Sequence, residues 1–271
     1  MVGDEVSPGG RPAELTAGLR AGYDAAAQEW AHGPGPMYAE LARVLVAAAP
    51  VPLAGRMVLD LGAGTGVAGQ AALAAGARRV AAVDLSEGML RRGGGGRPVV
   101  ADAVALPFRD GCFDLVVAAF CLNHLGSLAA GLAEARRVGA SIAASTFAAG
   151  WAHPAKEAVD DTVRSFGYRP PAWHAILAPG SRASDPQVLT RCAAAAGFTR
   201  VQARTTTVPT GIATAADLAS WRLGMAHVAP FMRSLDGPRR AALRRAAEQA
   251  VAAVSGPGMP LVVSMVVLTA C

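Results

Sequence analysis

Apolar residues recur along the chain with two different periods, and the period changes near residue 56. Before that point, residues 13–29 and 37–49 place apolar side chains every three or four positions, which predicts two helices. The sequence GPGP at 33–36 separates them. After that point, short apolar runs, each predicted to be a strand, lie at 57–61, 80–83, 98–101, 115–120 and 140–147.

Helical stretches are predicted between these strands, at 67–75, 87–92 and 127–137. Strands that alternate with helices are typical of an α/β fold, in which a parallel sheet carries helices on both faces. Four glycines in a row at 93–96 predict a flexible surface connector before the third strand.

Beyond residue 147 the alternation becomes irregular. Residues 150–179 combine aromatic and histidine side chains with prolines, a composition that suits a cap over a pocket. A helix is predicted at 185–196, and a strand at 198–208 follows it. Two or three helices are expected within 214–254, and the last strand at 261–269.

Composition narrows the class of protein. Hydrophobic residues are 52% and charged residues 17% of the 271 residues, which predicts a globular core. The net charge of +5 is spread along the chain and aromatic residues are only 5%, so nucleic-acid binding is not expected. The four cysteines lack CxxC pairs and metal-like spacing, which predicts reduced thiols and no metal site. With no signal-peptide pattern and no membrane-length apolar run, we expect a soluble cytoplasmic protein without membrane contact.

The strongest local signal is the segment VLDLGAGTG at 58–66, an apolar strand followed by a glycine loop and a helix. Glycines let the backbone approach a ligand closely, and a helix N-terminus offers unpaired N–H groups. Residues 64–69 also match the dinucleotide pattern GxGxxG, which is weak evidence alone. Asp60 beside the loop would repel a pyrophosphate but suits an ammonium or sulfonium group, which disfavours NAD.

Two more carboxylates follow the next strands. Asp84 stands where an acid can bind both hydroxyls of a ribose, and Asp102 where one can accept from the amino group of adenine. Each acid taken alone is also consistent with a strand-end or helix-cap residue. Together with Asp60 they mark the carboxyl ends of three successive strands, where open α/β sheets bind ligands.

The segments at 58–66, 83–90, 100–108 and 113–125 resemble, in order and spacing, the motifs of class I S-adenosylmethionine-dependent methyltransferases. The likeness is greatest to the small-molecule branch, methyltransferase type 11, which includes the ubiquinone/menaquinone C-methyltransferases. It covers residues 20–147 closely. It implies a Rossmann-like, seven-stranded, mostly parallel sheet of order 3-2-1-4-5-7-6, with the last strand antiparallel, helices on both faces and a helical cap.

The same resemblance implies three regions. Lid helices would occupy 1–52, the cofactor-binding half of the sheet 53–148, and the remainder 149–271. Cap insertions are expected at 150–184 and 209–256 within the last region.

The resemblance also implies which residues bind S-adenosylmethionine and its product S-adenosylhomocysteine. Glycine-loop residues and a strand-end aromatic would line the methionine part, with Asp60 near its amine. Asp84 would bind the ribose, while the adenine would lie between two apolar side chains and against the third acid. The predicted set is Tyr23, Asp60, Gly62, Ala63, Gly64, Asp84, Leu85, Met89, Asp102, Ala103 and Phe120.

Tyr23 enters this set because Tyr23-Asp24 resembles the lead-in helix of the family, in which Trp30 replaces a usual second tyrosine. His124, after strand four, is the best candidate for a general base, although local packing explains a histidine there equally well. Three further histidines in the variable segments are weaker candidates: His153, His174 and His227.

The implied function is methyl transfer to an O, N or C atom of a small-molecule acceptor, in natural-product or specialised metabolism. An aromatic set would either line the acceptor pocket or form the core of the cap: Trp151, Phe166, Tyr168, Trp173, Trp221 and Phe231. A protein of the same fold that uses the cofactor for another step, such as cyclisation, or that is catalytically silent stays open. A dinucleotide-dependent oxidoreductase is the third alternative.

Overall fold

The computed structural model describes residues 13–176, 182–255 and 259–271, and a seven-stranded sheet forms its centre. The strands are β1 (Met57–Leu61), β2 (Arg79–Asp84), β3 (Arg97–Val100), β4 (Leu115–Ala119), β5 (Ile142–Phe147), β6 (Gln202–Pro209) and β7 (Val262–Ala270). Their order is β3-β2-β1-β4-β5-β7-β6. Strands β1 to β5 pair in parallel, and β7 is antiparallel to both β5 and β6. The predicted fold class and strand order are confirmed.

Helices cover both faces of this sheet. They are α1 (Ala13–His32), α2 (Gly35–Ala47), α3 (Val67–Ala74), α4 (Glu87–Leu90), α5 (Leu128–Val138), α6 (Pro154–Ser165), α7 (Ala172–Ile176), α8 (Pro186–Ala195), α9 (Ala215–Leu223), α10 (Ala229–Ser234) and α11 (Gly237–Ser255). No helix within the described ranges is both long enough and apolar enough to cross a membrane.

Side-chain caps determine where several helices begin. Ser86 Oγ accepts from the backbone N–H of Met89 at the start of α4, and Ser127 Oγ does the same for Ala130 at α5. Each cap satisfies a helix N–H group that has no partner within its own helix. The start of α4 therefore lies directly after the carboxyl end of β2.

Three strands are shorter than the apolar pattern predicts: β5 begins at Ile142 and not at residue 140, and unusual backbone angles explain the other two. The predicted strand at 115–120 ends at Ala119 because Phe120 has a φ of +54° and turns the chain out of the sheet. The predicted strand at 198–208 begins only at Gln202, since Arg200 has a φ of +46°. Residues other than glycine seldom take such backbone angles, and the hydrophobic periodicity of a sequence does not reveal them.

The alternating side chains of the strands enter two separate cores. One core joins one sheet face to α2, α6, α9 and α11 through buried residues such as Leu41, Val159 and Met265. The other joins the opposite face to α5 and α8, with Leu132 and Leu189 fully buried. The sheet is thus covered on both sides, as its apolar strands require.

The predicted lid region contains α1 and α2, and its residues 1–12 lie outside the described part. The two predicted cap insertions contain α6 and α7, and α9 to α11, while residues 177–181 and 256–258 are outside the described ranges. Helix α1 contacts α7 and α10 from these insertions. The predicted division into three regions remains an expectation.

Candidate functional site

A cavity of about 500 Å³ opens at the carboxyl ends of β1, β2 and β4, and α1 forms one of its walls. Ligand sites in open α/β sheets lie at this edge. The structure brings all the residues of the predicted cofactor-binding set, and His124, to this cavity. They are Tyr23, Asp60, Gly62, Ala63, Gly64, Asp84, Leu85, Met89, Asp102, Ala103, Phe120 and His124.

The glycine loop follows β1 and takes a backbone path that only glycine adopts easily. Gly62, Gly64 and Gly66 have φ angles of +71°, +55° and +80°. The N–H groups of Gly62 and Ala63 both donate to the carbonyl of Val83, each at 2.8 Å, which ties the loop to β2. A Cβ atom added at Gly64 would meet no heavy atom within 4 Å. Because Gly64 lines the cavity, this open space is available to a ligand.

A second glycine run supports this loop from behind. We expected residues 93–96 to form a flexible surface connector, but Gly95 is buried. A Cβ atom added at Gly69 would lie 2.3 Å from the Gly95 carbonyl oxygen, and one added at Gly95 would lie 2.2 Å from that of Gly66. The two backbones therefore touch, and this contact requires glycine on both sides.

Asp60 is the most deeply buried carboxylate at the cavity, with only 1% of its surface exposed. Its Oδ2 atom accepts from the N–H of Gly69 at 2.7 Å, whereas Oδ1 has no hydrogen-bond partner among the described residues. Burial raises the pKa of Asp60 to about 7, and the Gly69 hydrogen bond only partly opposes this. A carboxylate left half-satisfied in this way suits a cationic hydrogen-bond donor.

Asp84, at the end of β2, is held by two backbone N–H groups. Oδ2 accepts from Gly64 and Oδ1 from Ser86, each at 2.8 Å. Burial raises the pKa of Asp84 and these hydrogen bonds oppose the rise. Asp102, after β3, is exposed on the cavity rim, and its Oδ1 atom accepts from the N–H of Val104 at 3.1 Å. Each carboxylate is fixed in orientation and has lone pairs left for a ligand.

Helix α1 is fastened to the same edge through Asp24. Its Oδ1 atom accepts from Ser86 Oγ at 2.6 Å and from the N–H of Gly88 at 2.8 Å. A Cβ atom at Gly88 would lie 3.0 Å from the Asp24 Cα atom, so α1 and α4 approach closely. Sequence reasoning found Asp24 only as part of a motif and missed that it joins the lid helix to the β2–α4 turn.

The far end of the cavity is aromatic. The strained backbone of Phe120 directs its ring between Tyr38 and Phe147, at centroid distances of 5.3 and 4.5 Å. Trp30 stacks on Tyr38 at 5.0 Å, and both line the cavity. Sequence reasoning missed Trp30 and Tyr38 as wall residues. The signal available was their position in two apolar helices that precede the first strand.

The aromatic set predicted to line an acceptor pocket lies elsewhere. Trp173 and Trp221 are buried in the core, and Trp151, Phe166, Tyr168 and Phe231 pack against it. Among the described residues, none from 150–240 lines the cavity. The alternative stated above, that these residues form the core of the cap, is the one that the geometry supports.

The three weaker histidine candidates also stand apart from the cavity. His153 caps α6 by accepting from the N–H of Ala155. His174 and His227 stack on each other at 3.7 Å, and burial lowers the pKa of His174 to about 4. Burial lowers the pKa of His227 as well, so both stacked rings favour the neutral form.

The donor set fits S-adenosylmethionine. The orphaned Oδ1 of Asp60 would accept from the ammonium group, the open space at Gly64 admits the methionine chain, and Asp84 presents acceptors for ribose hydroxyls. No described group of three or more His, Cys, Asp or Glu side chains is arranged as a metal site.

Residues 59–141 match a family model described as a methyltransferase domain. Over 106 residues the chain is 45% identical to a demethylmenaquinone methyltransferase of Clavibacter sepedonicus, which covers 36% of this chain and 43% of that protein. A ubiquinone/menaquinone biosynthesis C-methyltransferase of Acidiphilium cryptum is 44% identical over 93 residues, 31% of this chain and 37% of that protein. The aligned part thus spans less than half the length of these curated relatives.

Two solved structures share the fold over most of the chain. One is an Anabaena variabilis protein described as a methyltransferase from an antibiotic biosynthesis pathway, with a TM-score of 0.59, 16% identity, and coverage of 84% of this chain and 95% of that chain. The other comes from a complex of a methyltransferase activator with a methyltransferase from Haloferax volcanii, with a TM-score of 0.54, 16% identity, and coverage of 93% and 96%. These structures establish the fold. The sequence matches confirm the predicted resemblance to class I methyltransferases of the ubiquinone/menaquinone type.

Proposed function

We propose that this protein transfers a methyl group from S-adenosylmethionine to a small-molecule acceptor. The observation that carries the proposal is the convergence of the glycine loop with Asp60, Asp84 and Asp102 on one cavity. A pyrophosphate would be repelled by this acidic group, whereas a sulfonium and an ammonium are attracted by it. The sequence similarity within residues 59–141 supports the same conclusion.

The cofactor would lie along the carboxyl edge of the sheet. Asp60 would hold its ammonium group, Asp84 its ribose and Asp102 the edge of its adenine, with Met89 against the adenine face. When bound, S-adenosylmethionine supplies an electrophilic methyl carbon on a sulfonium that leaves as a neutral thioether. Helix α1 shields this position from water, held there by Asp24.

The acceptor would occupy the aromatic end of the cavity. Trp30, Tyr38 and Phe120 form an apolar wall there, and His124 stands beside it on the same cavity. This apolar wall favours a compact apolar acceptor. If the nucleophile of that acceptor is a hydroxyl group, the reaction also needs a base to take its proton. The small scale of the cavity supports a metabolite rather than a macromolecule as acceptor. We place the reaction in specialised metabolism and in the cytoplasm, where the four free cysteines are compatible with a reducing environment.

Calorimetry and a transfer assay test the proposal together. S-adenosylmethionine and S-adenosylhomocysteine should bind with about 1:1 stoichiometry, and NAD should not bind. Methyl-labelled S-adenosylmethionine is then incubated with naphthalene-1,4-diol and with malonyl-coenzyme A. These probes represent the quinone and malonyl-thioester acceptors named for relatives.

Label in either probe, absent with Asp84→Asn, supports methyl transfer. Binding of NAD in place of S-adenosylhomocysteine contradicts the assignment of the cavity. Tight cofactor binding with no transfer to any hydroxyl, amine or carbon acceptor would leave the non-methylating alternative, such as cyclisation, as the better explanation.

A further inference from the structure

The two ring nitrogens of His124 have different surroundings. Its Nδ1 atom is buried, whereas Nε2 lies 3.3 Å from the hydroxyl oxygen of Tyr23. The two rings meet edge to face, with centroids 5.8 Å apart and planes at 85°. Both residues line the cavity. The Tyr23 hydroxyl therefore stands at the nitrogen through which His124 would exchange a proton with a ligand.

Tyr23 is held in this position by its neighbours on α1 and α7. The centroid of its ring lies 5.4 Å from that of the Trp30 ring and 6.1 Å from that of the Trp173 ring. Trp173 approaches α1 at a notch made by two glycines. A Cβ atom at Gly22 would lie 2.7 Å from the Trp173 ring, and one at Gly18 would lie 3.2 Å from it. The close approach of α7 thus limits the orientations open to the tyrosine ring.

We propose that Tyr23 is a catalytic residue that takes the proton of the acceptor and passes its own to His124. This rests on the proposed methyl transfer and applies to acceptors with a weakly acidic hydroxyl. In the resting state the Tyr23 hydroxyl donates to Nε2 of a His124 ring that carries its proton on Nδ1. As the acceptor oxygen forms its bond to the methyl carbon, the bond between that carbon and the cofactor sulfur would break and leave a neutral thioether. The acceptor proton would move to Tyr23 Oη, and the tyrosine proton would move to Nε2 of His124.

The balance of this step is complete. The acceptor loses one proton, Tyr23 ends as it began, and His124 becomes an imidazolium that later releases the proton to solvent. Phenolic hydroxyls ordinarily have a pKa of about 10, and imidazole has one of about 6.5. The pKa of a phenol-like acceptor is therefore close to that of tyrosine, so the proton passes between them easily. Histidine, with its lower pKa, holds the proton only transiently.

The resemblance suggested a different role for Tyr23, namely contact with the cofactor. Tyr23→Phe separates the two, because it keeps the ring and removes only the hydroxyl. If the hydroxyl serves His124, the affinity for S-adenosylhomocysteine in calorimetry should stay within about twofold of wild type. A tenfold loss of affinity would assign the hydroxyl to the cofactor and overturn the proposal.

A chemical probe tests the contact without any acceptor. Diethyl pyrocarbonate modifies unprotonated imidazole, and mass spectrometry gives the rate at His124 with exposed His32 as the internal reference. Tyr23→Phe should raise the relative rate at His124 about fivefold, the ratio that corresponds to one ordinary hydrogen bond. Tyr168→Phe is the matched control, since its hydroxyl donates to the carbonyl of His227. An unchanged rate in Tyr23→Phe would overturn the proposal.

A double-mutant cycle then tests the relay in catalysis. With naphthalene-1,4-diol as acceptor, Tyr23→Phe and His124→Gln should each lower kcat by about 100-fold. The double variant should be no slower than the slower single variant, within about threefold, because both changes interrupt one path. Losses that multiply would show that the residues act independently and would overturn the relay. If wild type does not methylate this probe, the proposed function loses that acceptor class, while the modification experiment still decides the contact.

Discussion

At the scale of single residues, Asp60 shows how position sets chemistry. It is the fourth of the five residues of β1, whose other side chains are apolar, so its carboxyl group is buried, and one oxygen has no described partner. The pKa is raised from 3.8 to about 7 by this burial. Between those two values the folded protein holds a proton that the unfolded chain has lost. Stability therefore falls as pH rises through this window, by up to about 1.4 kcal/mol per pH unit.

We predict that binding of S-adenosylhomocysteine releases protons below pH 7, because the ligand ammonium favours the ionised form of Asp60. Calorimetry at pH 6 in two buffers of different ionisation enthalpy measures the number released, which should approach one and vanish above about pH 8. In Asp60→Asn the release should disappear and the pH dependence of stability should flatten. The same proton release in Asp60→Asn would assign the linkage to another group.

At the scale of elements, strand–loop–helix units are well predicted from sequence and their mutual contacts are not. The first strand was predicted at 57–61 and is Met57–Leu61, because an apolar run bounded by glycine leaves little freedom. The rule that open α/β sheets bind ligands at the carboxyl ends of their strands also predicted that Asp60, Asp84 and Asp102 lie together, and all three line one cavity. The contact of Gly95 with Gly66 joins two distant loops, and no periodicity signals it. A run of glycines is equally compatible with a flexible loop and with close packing of two backbones.

That contact gives a matched pair of variants. Gly95→Ala should lower the free energy of unfolding by about 1–3 kcal/mol in urea denaturation, because its Cβ atom would lie 2.2 Å from a backbone oxygen. Gly94→Ala, whose nearest neighbour would be a side-chain nitrogen at 3.7 Å, should change it by less than about 0.5 kcal/mol. Equal effects would mean that the loop separates from α3 in solution.

At the scale of the whole molecule, the described parts of the cap segments pack against the lid helix and do not line the cavity. Arg233 of α10 donates to the Ala25 carbonyl of α1 at 2.5 Å. A Cβ atom at Gly33 would lie 2.4 Å from the carbonyl oxygen of Ser220, which places α9 directly on the α1–α2 junction. The aromatic composition of these segments suited a pocket and a core equally, and only tertiary packing distinguishes the two. The aromatic wall of the cavity is accordingly built from α1, α2 and the end of β4.

The role of the cap can be tested at Trp221, which is 2% exposed and has a buried indole N–H without a described partner. Trp221→Ala should lower the free energy of unfolding by about 3–5 kcal/mol, because it opens a large cavity in the core. Trp221→Phe should cost less than half as much, since it keeps most of the apolar volume and removes the unpaired N–H. At a temperature where both variants are folded, affinity for S-adenosylhomocysteine should stay within about twofold of wild type. Normal stability with impaired turnover of the acceptor would instead show that Trp221 contacts the acceptor. The cap would then be the element that selects the substrate.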